Sequence, residues 1–349
     1  MAFGEQLKPI TPRKRLTEGT RAGGITLVLG AGISRPRGIP SWDGLAQAVW
    51  RSAFKNRPSP WVANKQGWSP RELPQFLPII FELAYRELGE KRFSKLLTES
   101  LYAHARFPSD DANFHRSSES LAVIARLLVA EQRRGSKRRI TNVVTLNADD
   151  LVENAVSRIV GRSSPMAYGG VVRPVARSLH SFLGATHRIV PLYHIHGFLQ
   201  SARMSRRNAR MLVFTDSQYW STSASAFSFA NRIMTSALSE GRCVFVGLSM
   251  TDINLLRWFA LRTLDRDRES YDGMKYIPRE HWDPTTEFGA ERYFDRHFWI
   301  RPDSDDPGNF LSDFLRLRGI HSIAIKSWKD DSFEKLIAQC FPKKRKVKS

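Results

Sequence analysis

The chain has few cysteines, no long apolar run and a shortage of acidic residues, and each lack excludes a class of protein. Cys243 and Cys340 are the only cysteines among 349 residues, too few for a disulfide framework or a four-cysteine zinc site. No apolar stretch approaches the roughly 18 residues of a membrane span. The opening residues, MAFGEQLKPITPRKRL, lack the apolar core of a signal peptide. We therefore expect a cytoplasmic protein with reduced thiols and no membrane association.

The shortage of acidic residues leaves the chain strongly basic. Its 54 Lys and Arg residues outnumber 34 Asp and Glu residues, for a formal charge of +20 and a pI near 10.4. Such a charge favours encounter with nucleic acid or an acidic protein. Basic residues gather at 133–139, at 203–210 and after Pro342. Each cluster is interpreted either as a solvated loop or as a binding surface.

Residues 25–45, ITLVLGAGISRPRGIPSWDGL, form the strongest single pattern. The apolar residues 25–29 predict a strand buried on both faces, as in a parallel sheet. Gly30, Ala31 and Gly32 then allow the backbone to approach a pyrophosphate, although tight strand-to-helix turns without a ligand use the same residues. Arg35 stands where the dinucleotide fingerprint requires a third glycine, which disfavours an ordinary dehydrogenase.

A second predicted strand, residues 140–146, is followed by Asn147, Asp149 and a predicted helix that begins at Leu151. Ligands of parallel sheets gather at the carboxyl ends of strands, which makes both side chains candidate site residues. Asparagine and aspartate are also favoured helix caps. Both interpretations remain open from the residues alone.

A third predicted strand, residues 189–197, carries His194 and His196 near its carboxyl end. Alternation along a strand would place both rings on one face. A histidine in a core strand is more often structural than catalytic, but a strand end favours a ligand role. His196, which Gly197 follows, is the preferred candidate and His194 its rival. A metal site from the two lacks a third ligand at recognisable spacing.

The last informative strand is predicted at residues 243–246, and a small-residue turn follows it. Gly247 and Ser249 would permit a second close approach to a dinucleotide. Asp252 precedes a predicted helix over residues 253–264 and is equally well explained as its cap.

In this order, the segments resemble the sirtuin-like family. The resemblance rests on G-A-G-I-S and G-I-P within residues 30–40, T-L-N-A-D at 145–149, His-Gly at 196–197 and G-x-S-x-x-D-x-N at 247–254. The S-W-D-G-L at 41–45 and the missing zinc cysteines make the chain more similar to NADases of bacterial phage defence than to protein deacylases. Ala148 departs from the isoleucine or tyrosine more usual in this family.

The resemblance implies a role for each matched residue. Asn147 would hold the reacting ribose and its water, Asp149 would face the nicotinamide carboxamide, and His196 would be the catalytic histidine. The dinucleotide would be bound by two small-residue turns, namely Gly30, Ala31, Gly32 and Ser34 in the first and Gly247, Ser249 and Asp252 in the second. NAD+ would be a substrate rather than a cofactor, and no zinc or other metal is expected.

The predicted fold is α/β, a Rossmann-like parallel sheet of the sirtuin-like type within residues 23–341. A helical insertion at about 45–132 would form a second lobe, with its clearest helix over Ser120–Gln132. Residues 1–22 are predicted as a loosely held basic arm and residues 342–349 as a basic tail. Further predictions are a strand at 211–216, a helix at 217–240, edge strands at 275–278 and 319–325, and helices near 310–317 and 332–340.

The resemblance also implies a function. The chain would hydrolyse NAD+ to nicotinamide and ADP-ribose as the effector of an anti-phage abortive-infection system. It would be controlled by homo-oligomerisation or by a co-encoded partner, either a helicase-like ATPase or an Argonaute-type protein. The alternative is a catalytically idle nucleotide-binding scaffold whose basic surface holds nucleic acid or a partner, and protein deacylation is the least favoured interpretation.

Overall fold

The described part of the chain forms a parallel sheet of seven strands with helices on both faces. The computed structural model describes residues 11–61, 76–161, 171–175, 189–201, 212–276 and 296–342. The strand order is β3-β4-β2-β1-β5-β6-β7, and every neighbouring pair is parallel. The strands are β1 (Ile25–Leu29), β2 (Ile140–Thr145), β3 (Val172–Val175), β4 (Val190–His194), β5 (Arg242–Val246), β6 (His297–Pro302) and β7 (Ile320–Ile325). This arrangement confirms the predicted α/β, Rossmann-like fold class.

Two apolar clusters cover the two faces of the sheet. Successive strand residues alternate between them: Leu27 and Val244 belong to one cluster, Val28 and Phe245 to the other. The first cluster contains buried residues of α1 (Pro12–Ala22), α2 (Trp42–Ala53), α3 (Leu77–Tyr102), α4 (Ser120–Gln132), α5 (Leu151–Val160) and α10 (Ser332–Cys340). The second contains residues of α7 (Phe229–Glu240), α8 (Ile253–Tyr276) and α9 (Phe310–Arg316), while α6 (Asp216–Ala224) has no buried residue. No helix in the described ranges is long and apolar enough to cross a membrane.

The predicted helical insertion comprises α2, α3 and α4. The Ser120–Gln132 helix is confirmed with the same bounds. α3 has a kink at Gly89, whose φ is 72°. Buried residues of all three helices share one cluster with the sheet. The assignment of residues 45–132 to a separate lobe stays a prediction.

The prediction of a loosely held arm is wrong for residues 12–22, which form α1. Leu16 is fully buried, and Thr20 Oγ1 donates a hydrogen bond to Cys340 O at 2.5 Å. Thr11 caps the helix, because its side chain accepts a hydrogen bond from Lys14 N–H, and Pro12 is the first residue of the helix. These start signals are present in the sequence, but the basic composition of the segment obscures them.

Two strands were not predicted, and two predicted strands are not strands where the structure describes their residues. β3 has only four residues, and β6 is buried along its whole length although it contains His297 and Arg301. Partners satisfy these polar groups: His297 Nδ1 accepts from Cys243 N–H, and Arg301 donates to Ser322 Oγ. Polar residues with such partners break the apolar pattern without breaking the strand.

The described residues 212–215, predicted as part of a strand, are not in the sheet. The N–H groups of Phe214 and Thr215 both donate to Gln218 Oε1 in a capping box that begins α6, so they are not available to a sheet. Residues 225–228 split the predicted 217–240 helix into α6 and α7, and residues 275–276 belong to α8 rather than to an edge strand. The edge strand at the carboxyl end is confirmed as β7, and the two last predicted helices as α9 and α10. The basic cluster at 203–210 and residues 343–349 of the predicted tail lie outside the described residues.

Candidate active site

The strand register brings four chain segments together at the carboxyl edge of the sheet. Leu29, the last residue of β1, pairs with Thr145 of β2 on one side and with Val246 of β5 on the other. Thr145 in turn pairs with His194, the last residue of β4. Neighbouring strands lie about 4.8 Å apart, so the residues that follow these strand ends are neighbours. The chain order reverses at β1 and β5, where open α/β sheets bind their ligands.

The two small-residue turns touch each other directly. Gly30 N–H donates to Val246 O at 3.0 Å, and Gly32 N–H donates to Gly247 O at 2.8 Å. A Cβ atom on Gly30 would lie 2.5 Å from Gly247 O, and Gly247 itself has a φ of +68°. Contact between the turns therefore requires these glycines whether or not a dinucleotide binds. Contact of Gly30, Ala31, Gly32 and Gly247 with a ligand stays a prediction.

Asn147 is tied to the first of these turns. Its Nδ2 donates to Gly30 O at 3.0 Å and lies 3.3 Å from Ser34 Oγ. Ser34, fully buried, donates to Asp149 Oδ1 at 3.1 Å. The structure thus brings Gly30, Ser34, Asn147 and Asp149 into one hydrogen-bonded network. Asn147 makes no described contact with the start of α5, so the capping interpretation does not account for it.

Asp149 makes a cap-like contact with the start of α5, one residue before the N-cap residue Asp150. Its Oδ1 accepts from Leu151 N–H at 3.0 Å in the first turn of α5. Burial raises the pKa of Asp149 to about 7, and the nearby carboxylates of Asp150 and Glu153 act in the same direction. Burial also raises the pKa of Asp150 to about 6. This part of the site therefore has a low dielectric and disfavours anions.

The buried Asp149 predicts a stability that depends on pH. An unfolded aspartate titrates near pH 3.9. Between about pH 4 and pH 7, Asp149 therefore retains a proton in the folded protein that it has lost in the unfolded chain. The stability of the folded protein consequently falls as pH rises through this range. Asp149→Asn removes the ionisation and keeps an oxygen that can accept from Leu151 N–H. We expect the variant to be about 4 kcal/mol more stable than the wild type at pH 8 and of similar stability at pH 4, measured by urea unfolding. A difference that is constant across pH would contradict the buried carboxyl.

The two histidines contact different elements, so the expectation that they share a face is wrong. β4 ends at His194, and His196 lies in the turn beyond it. His194 Nε2 lies 2.7 Å from Glu153 Oε1 on α5, and its Nδ1 lies 3.0 Å from Asn147 O. Burial alone would lower the pKa of His194, but the charge and hydrogen bond of Glu153 raise it. His194 is thus a structural residue that holds the backbone of Asn147.

His196 faces the other side of the site. Its ring centroid lies 5.6 Å from that of Tyr219 on α6, and its Nε2 is buried without a hydrogen-bond partner in the part of the chain that the structure describes. Burial lowers the pKa of His196, although the charge of Asp252 opposes the shift. The ring is therefore neutral near pH 7, and an unsatisfied buried nitrogen is typical of a group that awaits a ligand.

Residues of the second turn are divided between structural and surface positions. Asp252 Oδ1 accepts from Leu255 N–H and so caps α8, while Asp252 Oδ2 lies 3.3 Å from the Tyr219 hydroxyl. Asp252 is thereby linked through Tyr219 to His196. Ser249 is exposed, and its Oγ lies 2.7 Å from Thr251 Oγ1. The dinucleotide-binding roles of Ser249 and Asp252 stay predictions.

Sequence reasoning missed the residues that support the candidate site. Tyr219, within the helix predicted at 217–240, and Glu153 were not among the candidate residues, yet they contact His196 and His194 respectively. Tyr102 was also missed: its hydroxyl accepts from Asp150 N–H at 2.9 Å and lies 2.6 Å from Leu199 O. Each contact joins residues far apart in sequence, so no local pattern reveals it.

Comparison with known proteins supports the family. A family model described as a SIR2-like domain matches residues 141–283. The match contains Asn147, Asp149, His196 and the turn at Gly247, and it begins after the turn at Gly30. No curated protein matches the chain. A SIR2-like domain indicates an NAD-related activity. With the parallel sheet and the order of its strand-end residues, the match over residues 141–283 supports a sirtuin-like family for this chain.

Proposed function

We propose that the protein is an NAD+ glycohydrolase that releases nicotinamide and ADP-ribose. The observation that carries the proposal is the position of Asn147. Asn147 follows β2, and its side-chain amide donates to Gly30 O in the first glycine turn. β2 pairs with β4, and His196 lies just beyond the end of β4. An amide, an imidazole and the turns at Gly30 and Gly247 would therefore border the crevice that open α/β sheets form at their switch point, where an extended dinucleotide is expected to lie.

Cleavage of the nicotinamide–ribose bond of NAD+ is a reaction that such a crevice could support. The nicotinamide of NAD+ leaves as a neutral amide, and its departure places oxocarbenium character on the ribose, as in glycoside cleavage. The enzyme needs little acid assistance. It must hold the ribose in line, tolerate positive charge and position a water. The carboxyl groups of Asp149, next to the Asn147 network, and of Asp252, linked to His196 through Tyr219, would favour the cationic nicotinamide ring of NAD+.

We assign each of these tasks to one or two residues of the candidate site. No described group donates to the Asn147 amide oxygen, so this oxygen is available for a ribose hydroxyl or the attacking water. The neutral His196, with its unpartnered Nε2, would act as general base or orient a hydroxyl. Tyr219 and Asp252 would hold the ring of His196. Asp149, with a pKa raised to about 7 by burial, could present either a proton or an oxygen to the nicotinamide carboxamide.

The biological role that we propose is depletion of NAD+ in the cytoplasm during phage infection, as effector of an abortive-infection system. An NADase of this kind must be inactive in healthy cells. Activation by homo-oligomerisation or by a co-encoded partner, such as a helicase-like ATPase or an Argonaute-type protein, would meet this need. Native mass measurement with and without candidate partners tests the idea: a fully active monomer would contradict it.

The direct test is nicotinamide release from NAD+ by the purified protein, measured by chromatography with candidate partners present. We expect His196→Ala to lower the rate by about a hundredfold or more, since general acid–base groups contribute this much. The exposed His115 provides a matched control, and His115→Ala should leave the rate unchanged. Equal rates in the wild type and both variants would exclude His196 from the chemistry.

A specific observation favours the alternative of a catalytically idle scaffold. Asn147, Asp149 and His196 are all buried, with 8%, 3% and 5% of their surfaces exposed, and Asp149 has a structural contact at the start of α5. Calorimetric NAD+ binding without turnover, even with partners added, would support the scaffold. Nicotinamide release that requires an acylated peptide would instead indicate deacylation.

A further inference from the structure

A cavity of about 520 Å³ lies at the opposite end of the sheet from the candidate active site. Its wall includes Gly23, which precedes β1, and Arg138 and Arg139, which precede β2. It is therefore at the amino ends of these strands. The five residues of β1 separate it from the first glycine turn by about 17 Å, at about 3.3 Å per residue. A ligand in the cavity would not occupy the dinucleotide crevice.

The wall of this cavity is strongly cationic. Five of its nine lining residues are basic, and none of the described lining residues is acidic or aromatic; the basic ones are Arg21, Arg134, Lys137, Arg138 and Arg139. Three have partners: Arg139 and Arg134 pair with Glu131, and Arg138 donates to Ile189 O. The side chains of Arg21 and Lys137 are exposed, and neither forms a hydrogen bond or ion pair with another residue that the structure describes. Positive charge at the cavity is therefore not fully compensated.

Cationic residues also gather beside the cavity. Arg242, the first residue of β5, donates its N–H to Gly24 O at 3.1 Å. Burial lowers the pKa of Arg242, and the positive charge of Arg296 lowers it further. Like charges that repel each other at one end of a sheet favour a polyanionic ligand.

We propose that this cavity binds a ligand with several adjacent phosphate groups. Its volume falls in the range of small-ligand sites, about 300–1,000 Å³. Arginine guanidinium groups match phosphate oxygens in geometry and charge. The described wall has no aromatic ring on which a base could stack, so the ligand is recognised through its phosphates and not through its bases. The phosphates could belong to a free polyphosphate or to the backbone of a single-stranded nucleic acid.

Calorimetric titration of the full chain with inorganic tripolyphosphate at low salt tests the site. Arg21→Glu with Lys137→Glu should weaken binding at least tenfold. Lys91→Glu with Arg92→Glu changes the net charge equally on exposed positions of α3, outside the cavity wall; this control pair should change the affinity less than twofold. Asn147→Ala should bind tripolyphosphate like the wild type, so the result is independent of the proposed NAD+ hydrolysis.

A short single-stranded thymidine oligonucleotide distinguishes the two phosphate sources. Tighter binding of the oligonucleotide than of tripolyphosphate, lost in the Arg21→Glu, Lys137→Glu protein, would support the site and identify a nucleic-acid backbone. The slope of log affinity against log salt should then shrink by about 1.4, for two phosphate contacts at about 0.7 each. Oligonucleotide binding unaffected by these substitutions, with tripolyphosphate binding lost, would support a small polyphosphate. Absent tripolyphosphate binding, or equal losses in the two pairs of substitutions, would overturn the proposal.

Discussion

Asn147→Ala is expected to reduce nicotinamide release from NAD+ by about a hundredfold or more. The substitution removes the amide that would position ribose and water, and misplacement of reacting groups by about 1 Å costs about this factor. It also removes the hydrogen bonds of Nδ2 to Gly30 O and Ser34 Oγ. These bonds contribute about 1 kcal/mol each to stability, so the fold should survive. Initial rates and thermal unfolding of the same preparation measure the two effects separately.

Asn142 provides the matched control for this experiment. It lies on β2, the strand that Asn147 follows, is half-buried, and its Nδ2 contacts only the neighbouring Thr141 Oγ1 among the described groups. Asn142→Ala should therefore retain the rate of the wild type. If both asparagine variants lost activity together with thermal stability, the loss would come from the strand and not from the site. Full activity in Asn147→Ala would end the assignment of its catalytic role.

Glu131→Gln is expected to destabilise the protein by about 3 kcal/mol or more. Glu131 of α4 is fully buried, and its carboxylate accepts from the backbone N–H of Arg139 at 2.6 Å and from Arg139 Nε at 2.9 Å. Removing one partner of a buried ion pair leaves an uncompensated charge, at a cost of about 3–5 kcal/mol. Urea unfolding at neutral pH measures the difference.

The exposed Glu87 on α3 is the matched control for Glu131. Glu87→Gln should change the free energy of unfolding by less than about 0.5 kcal/mol, as surface substitutions usually do. A loss below about 1 kcal/mol in Glu131→Gln would mean that the Arg139 charge finds other compensation. Because Arg139 lines the basic cavity, tripolyphosphate affinity should also be compared in this variant.

Local patterns predicted much of the fold. Leu121, Ile124 and Leu128 recur at helical spacing, and the helix Ser120–Gln132 forms with the predicted bounds. Apolar runs before glycine or polar residues located β1, β2, β4 and β5. β6 was missed because His297 and Arg301 interrupt its apolar pattern, and only contacts with distant residues satisfy them. Periodicity reports burial, so it fails where a buried residue is polar.

The residues of the candidate site, like the elements of the fold, were predicted from the sequence only in part. The sequence suggested Asn147 and His196 because each follows a strand, and the register confirms that their strands are neighbours. It could not separate His194 from His196, because the difference depends on Glu153, 41 residues from His194. Nor could it reveal Tyr219 beside His196, or the contact between the turns at Gly30 and Gly247.

The order of apolar runs, turn glycines and strand-end polar residues was therefore sufficient to predict the α/β class, a resemblance to the sirtuin-like family and the candidate side chains. These features depend on interactions within a few residues, which a linear sequence displays. The tertiary structure alone decided the order of strands, the structural role of His194, the cap-like contact of Asp149 and the basic cavity at the far end of the sheet. Each of these depends on burial and contact between residues distant in the chain, which determine whether a polar group meets a partner, water or a ligand.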